Sequence, residues 1–262
     1  MRRPIVTLTT DFGHSDHFIG VMKGVILGIC PAADIVDISH EVQPFEIGEG
    51  AFLLAQAYRY FPPKTVHVAV VDPGVESARR PILVEMSGQY FIGPDNGVLT
   101  MVYSAAPHKA RHITAEKYFL KPVSRTFHGR DVFAPVAAHL AAGVRAASFG
   151  KLIADHLKVS FDKPQQTARR GWSGTVLHVD RFGNLITNFH AKDFPELETR
   201  PFEMSVGTRK IHRLALHYSE TDAGEIFLIA GSSSYFEVAA NQASAARLLG
   251  CGSGAPCDLT LY

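Results

Sequence analysis

Twice near the start of the chain a carboxylate directly follows a β-branched apolar run. Asp11 of Thr9-Thr10-Asp11-Phe12-Gly13 comes after Ile5-Val6-Thr7-Leu8, and Asp72 of Val71-Asp72-Pro73-Gly74-Val75 comes after Val66-His67-Val68-Ala69-Val70. A carboxylate at Asp11 can accept from two ribose hydroxyls, as acidic residues at strand ends do in nucleotide-binding sheets. It can equally cap the helix that follows. With no GxGxxG in the chain, nothing lets backbone approach a pyrophosphate, so a phosphate-free nucleoside is the better match. Asp72 is followed by Arg79-Arg80. A neighbouring guanidinium favours the ionised carboxylate and burial opposes it, which together make a tunable base. The same residues also describe a turn held by a salt bridge, with the spacing from Asp72 deciding between Arg79 and Arg80.

His128, in Thr126-Phe127-His128-Gly129-Arg130-Asp131, precedes an apolar stripe at helical spacing, and Gly129 leaves room for a ligand beside it. The chain has 13 histidines, and no HxH or HExxH pattern suggests a metal site. Gly93-Pro94-Asp95-Asn96-Gly97 reads first as a backbone turn. Later, Asp180 and Asn184 of Val179-Asp180-Arg181-Phe182-Gly183-Asn184 can read a purine edge or an ammonium, or simply stabilise a hairpin. Ser232 in Gly231-Ser232-Ser233-Ser234-Tyr235 offers a carboxylate-binding turn, or only a serine-rich one.

The elements that must position these groups are legible in outline. Ile5 to Leu8 reads as a buried strand, and Phe18, Ile19, Met22, Val25, Ile26 and Ile29 as the apolar face of a helix with Asp16 as its N-cap. Asp34 to Ile38 is a second strand. A second helix carries Ile47, Ala51, Leu54, Tyr58 and Phe61 and stops at Pro62-Pro63, and Val66 to Val71 is the third strand. Strand–helix alternation implies right-handed crossovers and a mainly parallel α/β sheet, with ligands at the carboxyl ends of its strands. Residues 162–170 are polar and aperiodic, a linker. Beyond them short strand-like runs recur with few helices, which predicts a smaller all-β, barrel-like domain. The expected division is an N-terminal α/β domain, 1–162, and a C-terminal β domain, 171–262.

The 262 residues carry a formal net charge of +1, and no Lys/Arg run marks a nucleic-acid face. No apolar stretch is long enough to span a bilayer, and the run after Arg2-Arg3 is too short for a signal sequence. A cytoplasmic protein with a small-molecule partner is expected. Cys30, Cys251 and Cys257 lack metal-site spacing and read as packing residues, with a Cys251–Cys257 disulfide as the alternative.

In chain order, TTDFG, VDPGV with the following Arg79-Arg80, GPDNG, FHGRD, VDRFGN with TN, and a final S-x-x-Y resemble the S-adenosylmethionine hydroxide adenosyltransferase family, a relative of bacterial fluorinase and chlorinase. The match runs over essentially the whole chain. The resemblance implies hydrolysis of S-adenosylmethionine to adenosine and methionine by attack of water on the ribose 5′ carbon, without cofactor or metal. It implies a homotrimer with active sites between subunits. It maps an Asp–Arg–His catalytic set onto Asp72, Arg79 and His128. It also places Asp11 on the ribose hydroxyls, Phe45 against the sugar or base, Asn184 on adenine, Asp180 on the ammonium and Ser232 on the carboxylate of the methionine part. Fluorinase-like relatives carry Tyr in place of that Asp and Ser where Gly129 stands. The hydrolase is therefore expected over a halide-dependent adenosyl transferase or a non-catalytic sensor of adenosine or S-adenosylmethionine.

Overall fold

The structure, a computed structural model, describes residues 3–75, 77–161 and 163–262. It divides into two compact units, Met1–Val159 and Ser160–Tyr262. The first contains β1 (Ile5–Thr10), α1 (Phe18–Ile29), β2 (Asp34–Ser39), α2 (Ile47–Ala57), β3 (Val66–Val70), β4 (Pro81–Met86), β5 (Gln89–Pro94), α3 (Thr100–Tyr103), β6 (His108–His112), α4 (Ala134–Ala141) and β7 (Leu152–Ile153). Its seven strands run in the order β2-β1-β3-β5-β4-β6-β7. The pairs joining β2, β1, β3 and β5 are parallel, while β4, β6 and β7 extend the sheet antiparallel. The sequence pattern marks β1 and β3 clearly because those two strands are buried on both faces and are rich in apolar residues.

One face of the sheet packs Val6, Leu8, Val66, Val68 and Val70 against Met22 and Ile26 of α1 and Val136 and Ala137 of α4. The other packs Ala69, Val71 and Ile82 against Leu54 of α2 and Val102 of α3. From β1 the chain leads through α1 to β2 on one side, while β3 leads toward β4 and β5 on the other. Loops leaving the carboxyl ends of these adjacent strands therefore part, the arrangement that opens a ligand crevice. Asp11 and Asp72 stand on those two loops. The expected Asp16 cap is absent, for the N-cap residue of α1 is His17 and it makes no side-chain cap bond.

The second unit contains β8 (Gln165–Ala168), β9 (Gly171–Val179), β10 (Leu185–His190), β11 (Phe202–Val206), β12 (Arg209–Ile211), β13 (Leu214–Ala215), β14 (Ile226–Ala230), β15 (Tyr235–Ala240), α5 (Ala245–Leu249) and β16 (Pro256–Leu261). They form a nine-stranded sheet in the order β12-β11-β16-β9-β10-β15-β14-β13, with β8 beside β9. Near its ends β12 approaches β14, so the sheet curls toward a barrel around Phe189, Phe202, Met204, Phe236 and Leu259. Within the stretch expected to be a linker, Gln165–Ala168 pairs with β9, so backbone pairing overrides its polar composition. Asp162 lies outside the described residues. All three cysteines are free thiols, so the Cys251–Cys257 disulfide does not form.

A polar chain crosses the middle of the first sheet. His67 is fully buried, with Nδ1 2.7 Å from Thr7 Oγ1 and Nε2 3.1 Å from Gln89 Oε1. The amide of Gln89 donates onward to Phe61 O at 2.7 Å. The amide oxygen can only accept, so His67 carries its proton on Nε2 and Thr7 donates to Nδ1. Burial pushes the His67 imidazolium pKa down to about 4. The unfolded chain then binds this proton from about pH 6.5 downward while the folded chain does not until about pH 4, so stability present above pH 6.5 is lost as pH falls through that window. The loss from this group is roughly 3 kcal/mol, at about 1.4 kcal/mol per pH unit. In urea titrations His67→Gln is expected to be less stable at pH 7 yet to lose roughly 3 kcal/mol less than wild type between pH 6.5 and 4. Parallel pH profiles for the two proteins would contradict the assignment.

Candidate functional site

A cavity of about 270 Å³ opens at the carboxyl ends of β1 and β3, lined by Asp11, Phe12, Phe45, Asp72, His128 and Gly129 among others. Arg79 stands behind it. Its Nε donates to Asp72 Oδ1 at 3.1 Å and its Nη2 to Asp72 Oδ2 at 2.5 Å, a two-pronged pair in which both side chains are less than a tenth exposed. The same Nη2 lies 2.8 Å from His128 Nδ1. Arginine has donors only, so Nδ1 presents its lone pair and the neutral imidazole carries its proton on Nε2. The guanidinium also lies 5.4 Å from the ring centre of Phe133, which fixes its plane.

Each of the three groups is held by local structure that the sequence specifies. Asp72 follows Val71, whose carbonyl accepts from Asn96 Nδ2 at 2.8 Å, while Asn96 Oδ1 accepts from Val98 N. The PDNG turn is thus the backbone device expected, and it anchors the strand end beside Asp72. Arg80 turns away to pair with Asp95 (2.8 Å) and Asp155 (3.0 Å), which leaves Arg79 as the partner of Asp72. His128 precedes a single π-helical turn, Gly129–Phe133, that leads into α4. Such widened turns shift the side chains around them and recur at functional sites. Asp131, fully buried, accepts from Arg130 Nε at 2.6 Å and from Ser124 N at 2.7 Å, and so pins the loop before His128. A Cβ on Gly129 would lie 3.2 Å from both Met22 Sδ and the Phe127 ring, so the glycine keeps the floor of the cavity clear.

Asp11 does not cap α1. Its Oδ2 accepts from the backbone N–H of Phe45 at 3.0 Å. Burial pushes its pKa up and the charge of Asp72 adds to this, outweighing the backbone bonds from Phe45 and Asp11 itself. Phe45 occupies the left-handed region at φ +72° with a 70% exposed ring. Such backbone costs on the order of 1–3 kcal/mol and is held at sites where geometry matters. Phe12, Phe18 and Phe127 meet edge-on with ring centres 5.1 to 6.0 Å apart and form an aromatic wall.

In the second unit Asp180 and Asn184 come together on the β9–β10 hairpin. Asp180 Oδ1 accepts from the N–H groups of Phe182 and Asn184 at 2.9 and 2.8 Å, and Oδ2 accepts from Asn184 Nδ2 at 2.8 Å. Every one of these bonds stabilises the turn. Asn184 also donates to Tyr218 Oη at 3.1 Å, and the two line a cavity of about 770 Å³ with Phe182, Gln242, Ser244 and Arg247. Ser232 is exposed in its turn, and the Ser233 hydroxyl is buried without a hydrogen-bond partner. Glu237, 8% exposed, has its pKa raised by burial first and by Asp180 second.

Sequence reasoning missed Glu237, Tyr218, Phe133 and His40. Of these His40 was within reach, since it follows β2 at the same sheet edge that pointed to Asp11 and Asp72. Among the described residues no group of three or more His, Cys, Asp or Glu side chains is arranged to hold a metal, and no helix is long and apolar enough to cross a membrane.

Residues 6–150 match the SAM hydroxide adenosyltransferase N-terminal domain and residues 174–258 its C-terminal domain. The chain is 45% identical to the (R)-S-adenosyl-L-methionine hydrolase of Methanocaldococcus jannaschii over 189 residues, 70% of this chain and 66% of that one. It is 37% identical to the protein of the same name from Salinispora arenicola, over 96% and 95% of the two chains. Fluorinases match at 27% to 30% identity. A crystal structure of an uncharacterised conserved protein from Thermotoga maritima superposes with a TM-score of 0.88 at 36% identity, covering 98% of this chain and 99% of that one. With both domains matched in order, the chain belongs to the SAM hydroxide adenosyltransferase family.

Proposed function

We infer that this protein hydrolyses S-adenosyl-L-methionine to adenosine and L-methionine, and that Asp72 and His128 handle the attacking water. The observation that carries the reading of the site is the single buried arginine bonded to both Asp72 and His128, which line an aromatic-walled cavity. Water bound there would donate one O–H to Asp72, whose oxygens each keep a lone pair after the fork to Arg79 is made. His128, with its proton on Nε2, would donate to the water oxygen and orient it. Attack forms the C5′–O bond and breaks C5′–S. The bonding pair moves to sulfur, which leaves as the neutral thioether of methionine. The water proton passes to Asp72 and then to solvent.

Arg79 acts through the other two and is a positioning residue. Its two-pronged fork fixes the orientation of the Asp72 carboxylate and its third bond fixes that of His128. Asp11 binds the ribose hydroxyls, and Phe45 packs on the sugar or base. The sulfonium carries positive charge in the ground state and loses it as methionine leaves, so a cavity walled by Phe12, Phe18 and Phe127 favours departure. In the second unit Asn184 and Tyr218 take the adenine and Ser232 the methionine carboxylate. Asp180 contributes to the ammonium while holding its turn. A homotrimer with active sites at subunit interfaces is part of the same proposal, and light scattering should then return the mass of three chains.

Incubation with S-adenosylmethionine should yield equimolar adenosine and methionine at the same rate with or without chloride or fluoride. A 5′-halo-5′-deoxyadenosine product, or adenosine binding with no turnover, would overturn the reading in favour of a transferase or a sensor. Asp72→Asn and His128→Ala are expected to lower kcat by roughly 10²- to 10⁴-fold, the usual loss for proton-transfer groups. Adenosine affinity by calorimetry should stay within about threefold of wild type in both, because neither side chain is assigned to the nucleoside. Arg79→Lys should also lose activity, since an ammonium cannot reproduce the fork or reach His128 at the same time.

A further inference from the structure

Behind Asp11 lies a chain of polar side chains that reaches from α1 to the turn carrying that carboxylate. Lys23 Nζ donates to Asp37 Oδ2 at 2.6 Å. Asp37 Oδ1 lies 3.0 Å from His40 Nε2, off the ring N–H axis, so the contact is electrostatic more than a formed hydrogen bond. His40 Nδ1 lies 2.8 Å from Thr10 Oγ1. Thr10 Oγ1 in turn accepts from the backbone N–H of Phe12 at 3.3 Å. Meanwhile Gly13 N–H donates to the carbonyl of His40 at 2.8 Å, with Gly13 at φ +63°. Thr10 and His40 are essentially inaccessible to solvent.

The proton directions along this chain agree. The carboxylate of Asp37 draws the imidazole proton to Nε2, leaving Nδ1 to accept from the Thr10 hydroxyl. The hydroxyl oxygen keeps its lone pairs for Phe12 N–H. His40 therefore ties down the two backbone N–H groups that follow Asp11, one through Thr10 and one through its own carbonyl. A β-bulge in the β1–β2 pairing falls between Leu8 and Thr9, at the same strand end. Bulges re-aim side chains next to sites. None of Lys23, Asp37, His40 or Thr10 lines the cavity.

We propose that Lys23, Asp37, His40 and Thr10 form a positioning relay that fixes the Asp11 turn and so sets recognition of the substrate's ribose hydroxyls. This rests on the reading of Asp11 as the ribose-binding carboxylate. Holding the hydroxyls contributes to ground-state and transition-state binding alike, so loss of the relay acts on KM. Thr10→Val removes the hydroxyl while keeping the β-branched shape, and Thr10→Ser restores it. We expect Thr10→Val to raise KM for S-adenosylmethionine by about tenfold, with kcat within about threefold of wild type, and Thr10→Ser to recover wild-type KM.

The discriminating readouts are ribose preference and coupling to Asp11. The wild-type preference for S-adenosylmethionine over its 2′-deoxy analogue should shrink in Thr10→Val as it does in Asp11→Ala. In the Asp11→Ala background, Thr10→Val should add less than a twofold further loss. His40→Asn, which keeps an acceptor for Thr10 but removes the contact to Asp37, provides a second variant should Thr10→Val fail to fold. It is expected to show an intermediate KM. Wild-type KM in both relay variants, or losses that multiply fully with Asp11→Ala, would overturn the relay. A wild-type KM in Asp11→Ala alone would instead overturn the ribose assignment beneath it.

Discussion

The first unit is organised around one guanidinium. Arg79 is almost wholly buried and gives two hydrogen bonds to Asp72 and one to His128, which brings groups distant in the chain into one constellation. A buried ion pair is rarely a source of net stability, because desolvating both charges costs several kcal/mol. Its value here is geometric. The fork leaves one carboxylate in one orientation, and the remaining N–H selects one imidazole tautomer. The structure invests in keeping the arginine there: Phe133 lies under it, a π-helical turn delivers both Phe133 and His128, and Arg80 is diverted to Asp95 and Asp155.

The same logic extends along the sheet edge. β1, β2 and β3 lead into Asp11, His40 and Asp72 respectively, and each is locked from the side. Asn96 holds the carbonyl before Asp72, and Phe45 N–H holds the Asp11 carboxylate. His40 holds the turn between them. Turns so constrained lose little entropy when a ligand is bound, which is where positioning contributes most to rate. The cavity they surround is small and aromatic, and burial together with the charge of Asp72 pushes the pKa of Asp11 up. That suits a cationic, phosphate-free substrate.

Much of this was legible in the sequence, for identifiable reasons. The parallel strands β1 and β3 and the helices α1 and α2 announce themselves because strands buried on both faces are continuous apolar runs and amphipathic helices have a fixed period. The rule that ligands sit at carboxyl ends of such strands then singles out Asp11 and Asp72. His128 was one histidine among 13, and only the ordered motifs of the family raised it above the rest. Three things were hidden. The choice of Arg79 over Arg80 depends on where Asp95 and Asp155 lie in space. The role of His40 depends on a hydroxyl 30 residues away. In the second unit, the turn-capping geometry of Asp180 and the buried carboxylate of Glu237 on β15 follow from strand register, which a short alternating run leaves open.

In the proposed reaction solvent water, handled by Asp72 and His128, attacks the ribose 5′ carbon. Turnover of S-adenosylmethionine in heavy-oxygen water, followed by mass spectrometry of both products, tests it most directly. One heavy oxygen is expected in the 5′-hydroxyl of adenosine and none in methionine, in wild type and in whatever residual product Asp72→Asn forms. Unlabelled adenosine, or label appearing in the methionine fragment, would contradict it.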